Sequence, residues 1–281
     1  MTEDSLRVGE AFEVAPAARR LLAPNGSFMT GPGTNTYLLG TTEIAVIDPG
    51  PAIHQHIERI IEVAGAPIRW ILVTHTHPDH SPAARELAAR TGARLYGQPA
   101  PHGPQQDKSF QPDRILKDGD IVSGPEFELQ AVHTPGHASN HLCYAWPQRR
   151  WLFTGDHIMN GSTVVINPPD GNMNDYLRSL RRVAQMDLAT LAPGHGDLLA
   201  EPRRVAEWII QHRLEREAKI VAAVRKAGSA TVEELVEAVY DDVPDYLHRV
   251  AERSLLAHLL RLEEEGQASS VDSRWTLVHS A

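Results

Sequence analysis

The sequence predicts an α/β fold followed by a small carboxyl-terminal module of helices and a hairpin. Apolar strand patterns alternate with amphipathic helix patterns in the first part of the chain, an order typical of α/β proteins. Four predicted strands run directly into loops rich in histidine or aspartate, and α/β sheets place their sites at the carboxyl ends of strands. With 281 residues, the chain has room for a large domain, predicted over residues 1–200, and a smaller one over residues 201–281.

Composition narrows the class of protein. The net charge of −9 disfavours sequence-independent binding to nucleic acid or to an anionic membrane. Cys143 is the only cysteine, so no internal disulfide can form, and residues 1–5 are acidic where a signal peptide needs positive charge. No apolar run is long enough to span a bilayer. We therefore expect a cytoplasmic protein outside the membrane, and its 15 histidines point to metal binding.

The first predicted elements form a hairpin. Residues 25–36 are rich in Gly, Pro, Ser and Asn and are interpreted as a loop, and apolar strands follow over residues 37–39 and 44–47. The second strand ends at Asp48. This residue either turns the chain before Pro-Gly or supports a metal ligand from behind, and the residue types alone leave both interpretations open.

Two amphipathic helices and a strand come next. Apolar residues at helical spacing predict a helix over residues 53–64, with His54 and His56 interpreted as solvated. A second helix is predicted over residues 82–90 and another strand over residues 93–96.

Between those helices lies the most informative stretch of the chain. A buried strand over residues 70–73 leads directly into His75, His77, Asp79 and His80. Imidazole nitrogens and carboxylate oxygens are ligands for zinc and similar divalent ions. One histidine in a loop is ordinary polarity, but this spacing at the end of a strand predicts a metal site.

The second half of the domain repeats the pattern. Residues 115–116 and 127–132 are predicted as strands of a second sheet, and the latter runs into His137 through Pro135-Gly136. The glycine allows the sharp turn that points His137 back towards a common centre.

Two further strands end in the same way. Residues 151–154 lead to Asp156, and residues 190–192 lead to His195, each time beside glycine. Taken alone, Gly155-Asp156 or Pro193-Gly194-His195 would be an ordinary turn sequence. Several strand ends that converge on metal-type donors instead predict one shared site.

The carboxyl-terminal part is predicted to be mainly helical. A helix over residues 174–186, capped by Asn174 or Asp175, precedes the change in composition near residue 201. Three further helices follow, the second opening with a Thr231–Glu234 capping box, and residues 269–278 form a hairpin. This is a winged-helix order. Acidic residues outnumber basic ones across it, so we expect a packing or homodimer module in preference to a DNA reader.

In chain order, the strand-end residues resemble the five motifs of the metallo-β-lactamase superfamily. The matching residues are Asp48, His75, His77, Asp79, His80, His137, Asp156 and His195. The resemblance covers roughly the first two hundred residues and implies a four-layer αβ/βα sandwich with a metal cleft at the sheet edges.

The resemblance also implies a role for each residue. One zinc ion would be bound by His75, His77 and His137. The second would be bound by Asp79, His80 and His195, with Asp156 bridging the two ions and Asp48 supporting the metal loop. A zinc-bound hydroxide, available because zinc lowers the pKa of bound water to about 7, would attack the substrate, and Asp79 would orient it.

Two residues bear on the reaction implied. Di-iron redox relatives carry Glu where His77 stands, and true β-lactamases carry Cys in place of a bridging Asp156. The resemblance therefore favours hydrolysis by two zinc ions, with manganese or iron as the alternative metals, and leaves a thioester or a phosphodiester as the substrate. The acidic net charge disfavours polyanions and so places thioester or ester-like substrates first.

The winged helix refines the resemblance to the beta-lactamase-like protein 2 subgroup. Its relatives include fungal acyl-carrier thioesterases and endoribonucleases acting on single-stranded RNA. We expect a small-molecule or acyl-carrier-linked substrate; the alternatives are an RNA endoribonuclease or phosphodiesterase, and a non-catalytic module with a structural metal. His141 matches a histidine of this subgroup, and the sequence leaves it either behind the ligands, at the substrate, or in solvent.

Overall fold

The computed structural model describes residues 6–278, so the acidic segment over residues 1–5 lies outside the described residues. The chain divides into two compact units, each assembled from segments that are separate in sequence. The first comprises Met1–Thr134, Asn140–Thr163 and Met186–Arg203, and the second comprises Pro135–Ser139, Val164–Gln185 and Arg204–Ala281. The boundary expected after residue 200 stays a prediction.

Among the described residues, the first unit contains two mixed β-sheets, two α-helices and a short 3₁₀ helix (Pro147–Arg149). The α-helices are α1 (His54–Ala64) and α2 (Ala83–Thr91). The first sheet contains β1 (Ala11–Ala15), β2 (Ala18–Leu22), β3 (Asn35–Leu39), β4 (Ile44–Ile47), β5 (Ile68–Leu72), β6 (Arg94–Gly97) and β7 (Arg114–Ile115), in that spatial order. The second contains β8 (Ile121–Ser123), β9 (Glu128–His133), β10 (Leu142–Trp146), β11 (Trp151–Gly155), β12 (Thr190–Pro193) and β13 (Leu199–Ala200), ordered β13-β12-β11-β10-β9-β8.

Parallel pairing positions the loops that carry metal-type donors. Strands β4, β5, β6 and β7 are parallel neighbours, and β11 is parallel to β12. The carboxyl ends of β4 and β5 therefore open at one edge of the first sheet, and those of β11 and β12 at one edge of the second.

Apolar side chains join three layers of the first unit. Ile57 and Ile60 of α1 and Leu87 of α2 are fully buried against the first sheet, and each stabilises the fold by about 1.5–3 kcal/mol. The two sheets face each other through a second core, in which the Tyr37 and Phe153 rings meet edge to face with centroids 5.1 Å apart. The expected α/β fold is confirmed.

The second unit contains helices and a hairpin. Its elements are α3 (Met173–Gln185), most of α4 (Pro202–Ala227), α5 (Val232–Val239), α6 (His248–Glu264), β14 (Ala268–Val271) and β15 (Arg274–Leu277). The Thr231–Glu234 capping box begins α5 as expected. Helices α4, α5 and α6 share one core with the hairpin, in which Trp275 is buried. The expected winged-helix module is confirmed.

Three local predictions were wrong. Residues 114–115 pair with β6 and so extend the first sheet, because a short apolar run specifies a strand but not its partner. His56 is buried, 2% exposed, where its Nε2 lies 3.0 Å from Thr36 Oγ1. Helix α3 is capped by Asn172, whose Oδ1 accepts a hydrogen bond from the Asp175 amide at 3.0 Å.

Within residues 6–278, no helix combines the length and the apolar character needed to cross a membrane.

Candidate metal centre

Asp48 contacts the loop that follows β5. It lies at the end of β4 with a φ of 50°, and its side chain is buried. Its Oδ1 accepts a hydrogen bond from the Thr74 amide at 2.7 Å, and its Oδ2 accepts one from the Thr74 hydroxyl at 2.7 Å. Oδ2 also lies 2.9 Å from His80 Nδ1. These contacts favour a supporting role over a turn alone.

Three strand ends bring four potential ligands together. One ligand atom from each of Asp79, His80, Asp156 and His195 lies within 4.8 Å of the others. His80 Nε2 is 3.4 Å from Asp156 Oδ1 and 3.5 Å from Asp79 Oδ2. His195 Nε2 is 3.3 Å and 3.2 Å from the same two oxygens. The loops after β5, β11 and β12 therefore meet at one cluster.

The two histidines of this cluster turn the same ring nitrogen towards the carboxylates. His195 Nδ1 donates to the Gly33 carbonyl oxygen at 3.1 Å, and His80 Nδ1 donates to Asp48. Neither Nε2 has a hydrogen-bond partner among residues 6–278, although both are buried. A buried ring nitrogen without a hydrogen bond is costly, and a metal ion would satisfy it. Two such nitrogens beside two carboxylates fit zinc or a similar divalent ion.

The ionisation states of the cluster favour metal binding, because its carboxylates are ionised and a metal ion can replace the protons on its histidine rings. Burial alone would raise the pKa of Asp156, but the adjacent His195 and His80 hold it well below its ordinary value. Burial alone would lower the pKa of His195, but Asp156 and Asp79 raise it to about 10. The carboxylates are thus ionised, as ligands must be. A bound cation would displace the protons of the two rings, because histidine binds metals through a neutral ring.

His75 and His77 lie side by side in the loop after β5. His75 Nε2 is 2.9 Å from His77 Nδ1. The Thr74 hydroxyl donates to Asp48, so its oxygen accepts from His75 Nδ1 at 3.1 Å. Burial, followed by the charges of His80 and His77, holds the pKa of His75 well below its ordinary value. His75 is therefore neutral with Nε2 unprotonated, the state that a metal ligand requires.

His137 belongs to the second unit. Gly136 has a φ of 145°, and an added Cβ there would lie 2.4 Å from Tyr176 Cα, so the turn before His137 requires glycine. Nδ1 of His137 lies 2.7 Å from the Val165 carbonyl oxygen, which can only accept, so Nδ1 donates this hydrogen bond. That His137 completes a ligand set with the histidines after β5 stays a prediction.

His141 is fully buried in the first unit. Its Nε2 accepts a hydrogen bond from the Asp156 amide at 3.2 Å. The solvent-facing alternative for this residue is therefore excluded.

The first residue of β3 contacts the loop that carries His195, and sequence reasoning missed this contact. Asn35 is buried, and its Nδ2 donates to the carbonyl oxygens of Pro193 at 3.0 Å and Gly196 at 2.8 Å. Its backbone amide donates to the Gly194 carbonyl oxygen at 2.8 Å. Asn35 therefore fixes the loop that carries His195. A polar residue at the start of an apolar strand was the signal available in the sequence.

Replacing Gly194 with alanine will weaken metal binding. An added Cβ would lie 2.7 Å from His80 Cε1 and 2.9 Å from Asp156 Oδ1, so both side chains must move. We expect metal affinity to fall by about tenfold or more, measured by competition with a chromophoric chelator. Gly92→Ala is the matched control, because an added Cβ there meets nothing within 4 Å and its positive φ costs only about 1 kcal/mol. Unchanged metal affinity in Gly194→Ala would contradict this packing.

Comparison with known families agrees with this geometry. The profile of the metallo-beta-lactamase superfamily matches residues 29–195, which is more than half of the chain. The profile of the beta-lactamase associated winged helix domain matches residues 231–275, the region of α5, α6 and the hairpin.

Individual relatives extend the match over nearly the whole chain. The beta-lactamase-like protein 2 homolog of Drosophila melanogaster is 30% identical over 264 residues, covering 88% of this chain and 88% of the relative. The atrochrysone carboxyl ACP thioesterase of Aspergillus chevalieri is also 30% identical over 264 residues, covering 88% of this chain and 80% of the relative. The crystal structure of a metallo-beta-lactamase family protein from Thermus thermophilus superposes with a TM-score of 0.80 at 22% identity, covering 94% of this chain and 100% of that one, which shows the fold. The resemblance found in the motifs is thus confirmed, and the chain belongs to the metallo-beta-lactamase superfamily of hydrolases, with the winged helix of the beta-lactamase-like protein 2 relatives at its carboxyl end.

Proposed function

We propose that this chain is a dinuclear zinc hydrolase that cleaves thioesters, with the acyl group linked to a carrier or to a small thiol. One observation carries the proposal. Asp79 and Asp156 face His80 and His195, whose buried Nε2 atoms have no hydrogen-bond partner among the described residues. The same ligands would also bind manganese or iron, so the identity of the metal as zinc is part of the proposal.

The proposed ligands fall into two sets joined by one carboxylate. One ion is assigned to His75, His77 and His137. The other is assigned to Asp79, His80 and His195, with Asp156 between the two. The tautomers support this assignment, because the Nδ1 hydrogen bonds of His75, His80, His137 and His195 leave Nε2 as the nitrogen that can bind a metal.

Within this site, the residues of the chain divide the remaining tasks. When bound, the ions supply Lewis acidity and lower the pKa of a coordinated water to about 7. The Asp79 side chain is 25% exposed, against 12% for Asp156, so Asp79 is the carboxylate that substrate and solvent reach most easily. We assign to Asp79 the orientation of the attacking water and the acceptance of its proton. Asp48 holds the His80 ring in place from behind.

Two observations support the proposed substrate class: the name of a relative and a cavity in the second unit. The Aspergillus chevalieri relative is named as a thioesterase for an acyl carrier. In the second unit, a cavity of about 750 Å³ is lined by Arg249 and Arg253 of α6 together with Glu233 and Glu252. Neither arginine has a hydrogen bond or an ion pair within residues 6–278. Two unpaired guanidinium groups one helical turn apart suit a ligand whose phosphate or carboxylate reaches them past the glutamates.

The double variant Arg249→Gln/Arg253→Gln tests this assignment. We expect KM for an acyl-carrier or acyl-coenzyme A thioester to rise by about tenfold, since two exposed charge-assisted contacts worth about 0.7 kcal/mol each sum to about 1.4 kcal/mol. KM for an uncharged aryl thioester and kcat for both substrates should not change. Arg225→Gln/Lys226→Gln is the control, because it removes the same charge from the exposed end of α4. An equal rise in KM for both double variants would show a general charge effect and remove the cavity from the proposal.

An activity panel tests the reaction itself. Purified zinc-loaded protein is given an aryl thioester, a carrier-linked thioester, a bis(aryl) phosphodiester and a short single-stranded RNA. We expect hydrolysis of the thioesters. Salt-dependent RNA cleavage that is lost in His77→Ala, without thioester hydrolysis, would establish the ribonuclease alternative. Unchanged activities in Asp156→Ala, in a protein that unfolds on metal removal, would establish a structural metal.

A further inference from the structure

The peptide that carries Asp156 takes part in a buried chain of hydrogen bonds. The Asp156 amide lies 3.2 Å from His141 Nε2, and His141 Nδ1 lies 3.0 Å from Thr134 Oγ1. Thr134 Oγ1 lies 3.2 Å from Cys143 Sγ, and Cys143 Sγ lies 3.6 Å from the Thr154 carbonyl oxygen. His141, Thr134, Cys143 and Thr154 are all fully buried. The chain of bonds thus begins at Asp156, the residue after β11, and ends at Thr154 within β11.

Only one arrangement of protons satisfies every bond. A backbone amide can only donate, so His141 Nε2 must accept from Asp156 and the ring proton sits on Nδ1. At the other end a carbonyl oxygen can only accept, so the Cys143 thiol donates to Thr154. The Thr134 hydroxyl then accepts from His141 and donates to Cys143. Each end independently dictates the same direction.

Gly155 permits the close approach of the ring. Its φ is 46°, and an added Cβ would lie 2.5 Å from Thr74 Oγ1 and 2.9 Å from His141 Nε2. A side chain at this position would therefore displace the imidazole from the Asp156 amide.

We propose that His141 is a positioning residue for Asp156, with its Nδ1–H tautomer set by Thr134 and Cys143. The inference rests on the proposed metal-binding role of Asp156. In the other tautomer, Nε2–H would face the Asp156 N–H, and the repulsion of two donors would push the peptide out of place. Thr134 and Cys143 thus influence metal binding although neither is a proposed ligand.

Nuclear magnetic resonance of the metal-free protein tests the tautomer directly. Long-range ¹H–¹⁵N correlation spectra of the His141 ring should show a protonated Nδ1 and an unprotonated, hydrogen-bonded Nε2. A protonated Nε2 would overturn the proposal. The measurement uses the unaltered chain, so it does not depend on the folding of any variant or on any substrate.

Metal affinity tests the consequence. His141→Met removes the acceptor at similar volume, and we expect affinity for the second zinc ion to fall by about tenfold to a hundredfold. His141→Gln keeps an oxygen acceptor for the Asp156 amide and should restore most of the affinity. Thr134→Val should weaken binding, since it frees the ring to change tautomer. His258→Gln, which alters a buried histidine that contacts Glu217 in the second unit, is the control and should bind zinc normally.

Two outcomes separate this inference from the proposed function. Full zinc affinity in both His141→Met and Thr134→Val would overturn the positioning role even if the protein hydrolyses thioesters. Loss of the second zinc ion in His141→Met with recovery in His141→Gln would support it even if the substrate belongs to another class.

Discussion

Replacing Asp156 with alanine will lower kcat/KM of the zinc-loaded protein by about 10³-fold, equivalent to about 4 kcal/mol of transition-state stabilisation. Asp156 is the carboxylate proposed to bridge the two ions, and its Oδ1 lies within 3.4 Å of Nε2 of both His80 and His195. Without it, two bound dications would lose both a shared ligand and the negative charge that screens their repulsion. Metal content should fall from two ions to one, measured by elemental analysis of the same preparation as the kinetics.

The control for this variant is Asp187→Ala. Asp187 is an exposed carboxylate before β12 that pairs with Arg150, so its removal changes the net charge equally and leaves the cluster intact. A variant Asp156→Ala that keeps two metal ions and normal kcat would contradict the bridging assignment.

Replacing Asp48 should have the second largest effect. We expect Asp48→Ala to lower stability, and Asp48→Asn mainly to weaken metal binding. Asp48→Ala leaves the Thr74 amide, the Thr74 hydroxyl and His80 Nδ1 without their acceptor. Removing one partner of a buried charged pair lowers the free energy of unfolding by about 3–5 kcal/mol, which denaturant titration can measure. Metal affinity should fall as well.

Asp48→Asn should affect metal binding more than stability. The asparagine oxygen can still accept from the Thr74 amide, but its NH₂ group would face His80 Nδ1 in place of an acceptor. His80 would then move its proton to Nε2, the nitrogen that faces Asp79 and Asp156. We expect zinc affinity to fall by about tenfold to a hundredfold. The control is Asp113→Asn, which alters a carboxylate that accepts from the Leu95 amide. Equal zinc affinity in Asp48→Asn and Asp113→Asn would contradict this account.

Much of the fold could be predicted because local patterns and pairing rules agree. Apolar runs at residues 44–47 and 70–73 specified neighbouring strands, and parallel pairing brought Asp48 beside the loop of His80. The capping box at Thr231 was readable for the same reason, since it depends only on residues three apart.

Features that depend on tertiary contacts could not be predicted. His56 lies beside apolar positions of α1, yet a periodicity count treats it as polar and solvated. In the fold it contacts Thr36, and burial lowers its pKa to about 4, so it remains neutral. No local signal specifies that partner, which lies twenty residues earlier in the chain.

In the candidate site, too, some residues could be predicted from local sequence and others depend on tertiary contacts. Ligand-type residues were visible because histidine or aspartate follows several predicted strands, a recurrence that ordinary turn chemistry does not explain. The groups that orient them were not: the Gly33 carbonyl oxygen behind His195 is backbone, and Asn35 lay within a stretch interpreted as a loop. Backbone acceptors carry no residue-type signal, so only the folded chain identifies them.

Elemental analysis combined with zinc titration tests the central claim most directly. Protein stripped by a chelator is titrated with zinc while thioester hydrolysis and bound metal are measured in the same samples. We expect activity to rise until two zinc ions are bound per chain and then to remain constant. Full activity in protein that contains no transition metal, or full activity with a single bound ion, would contradict it.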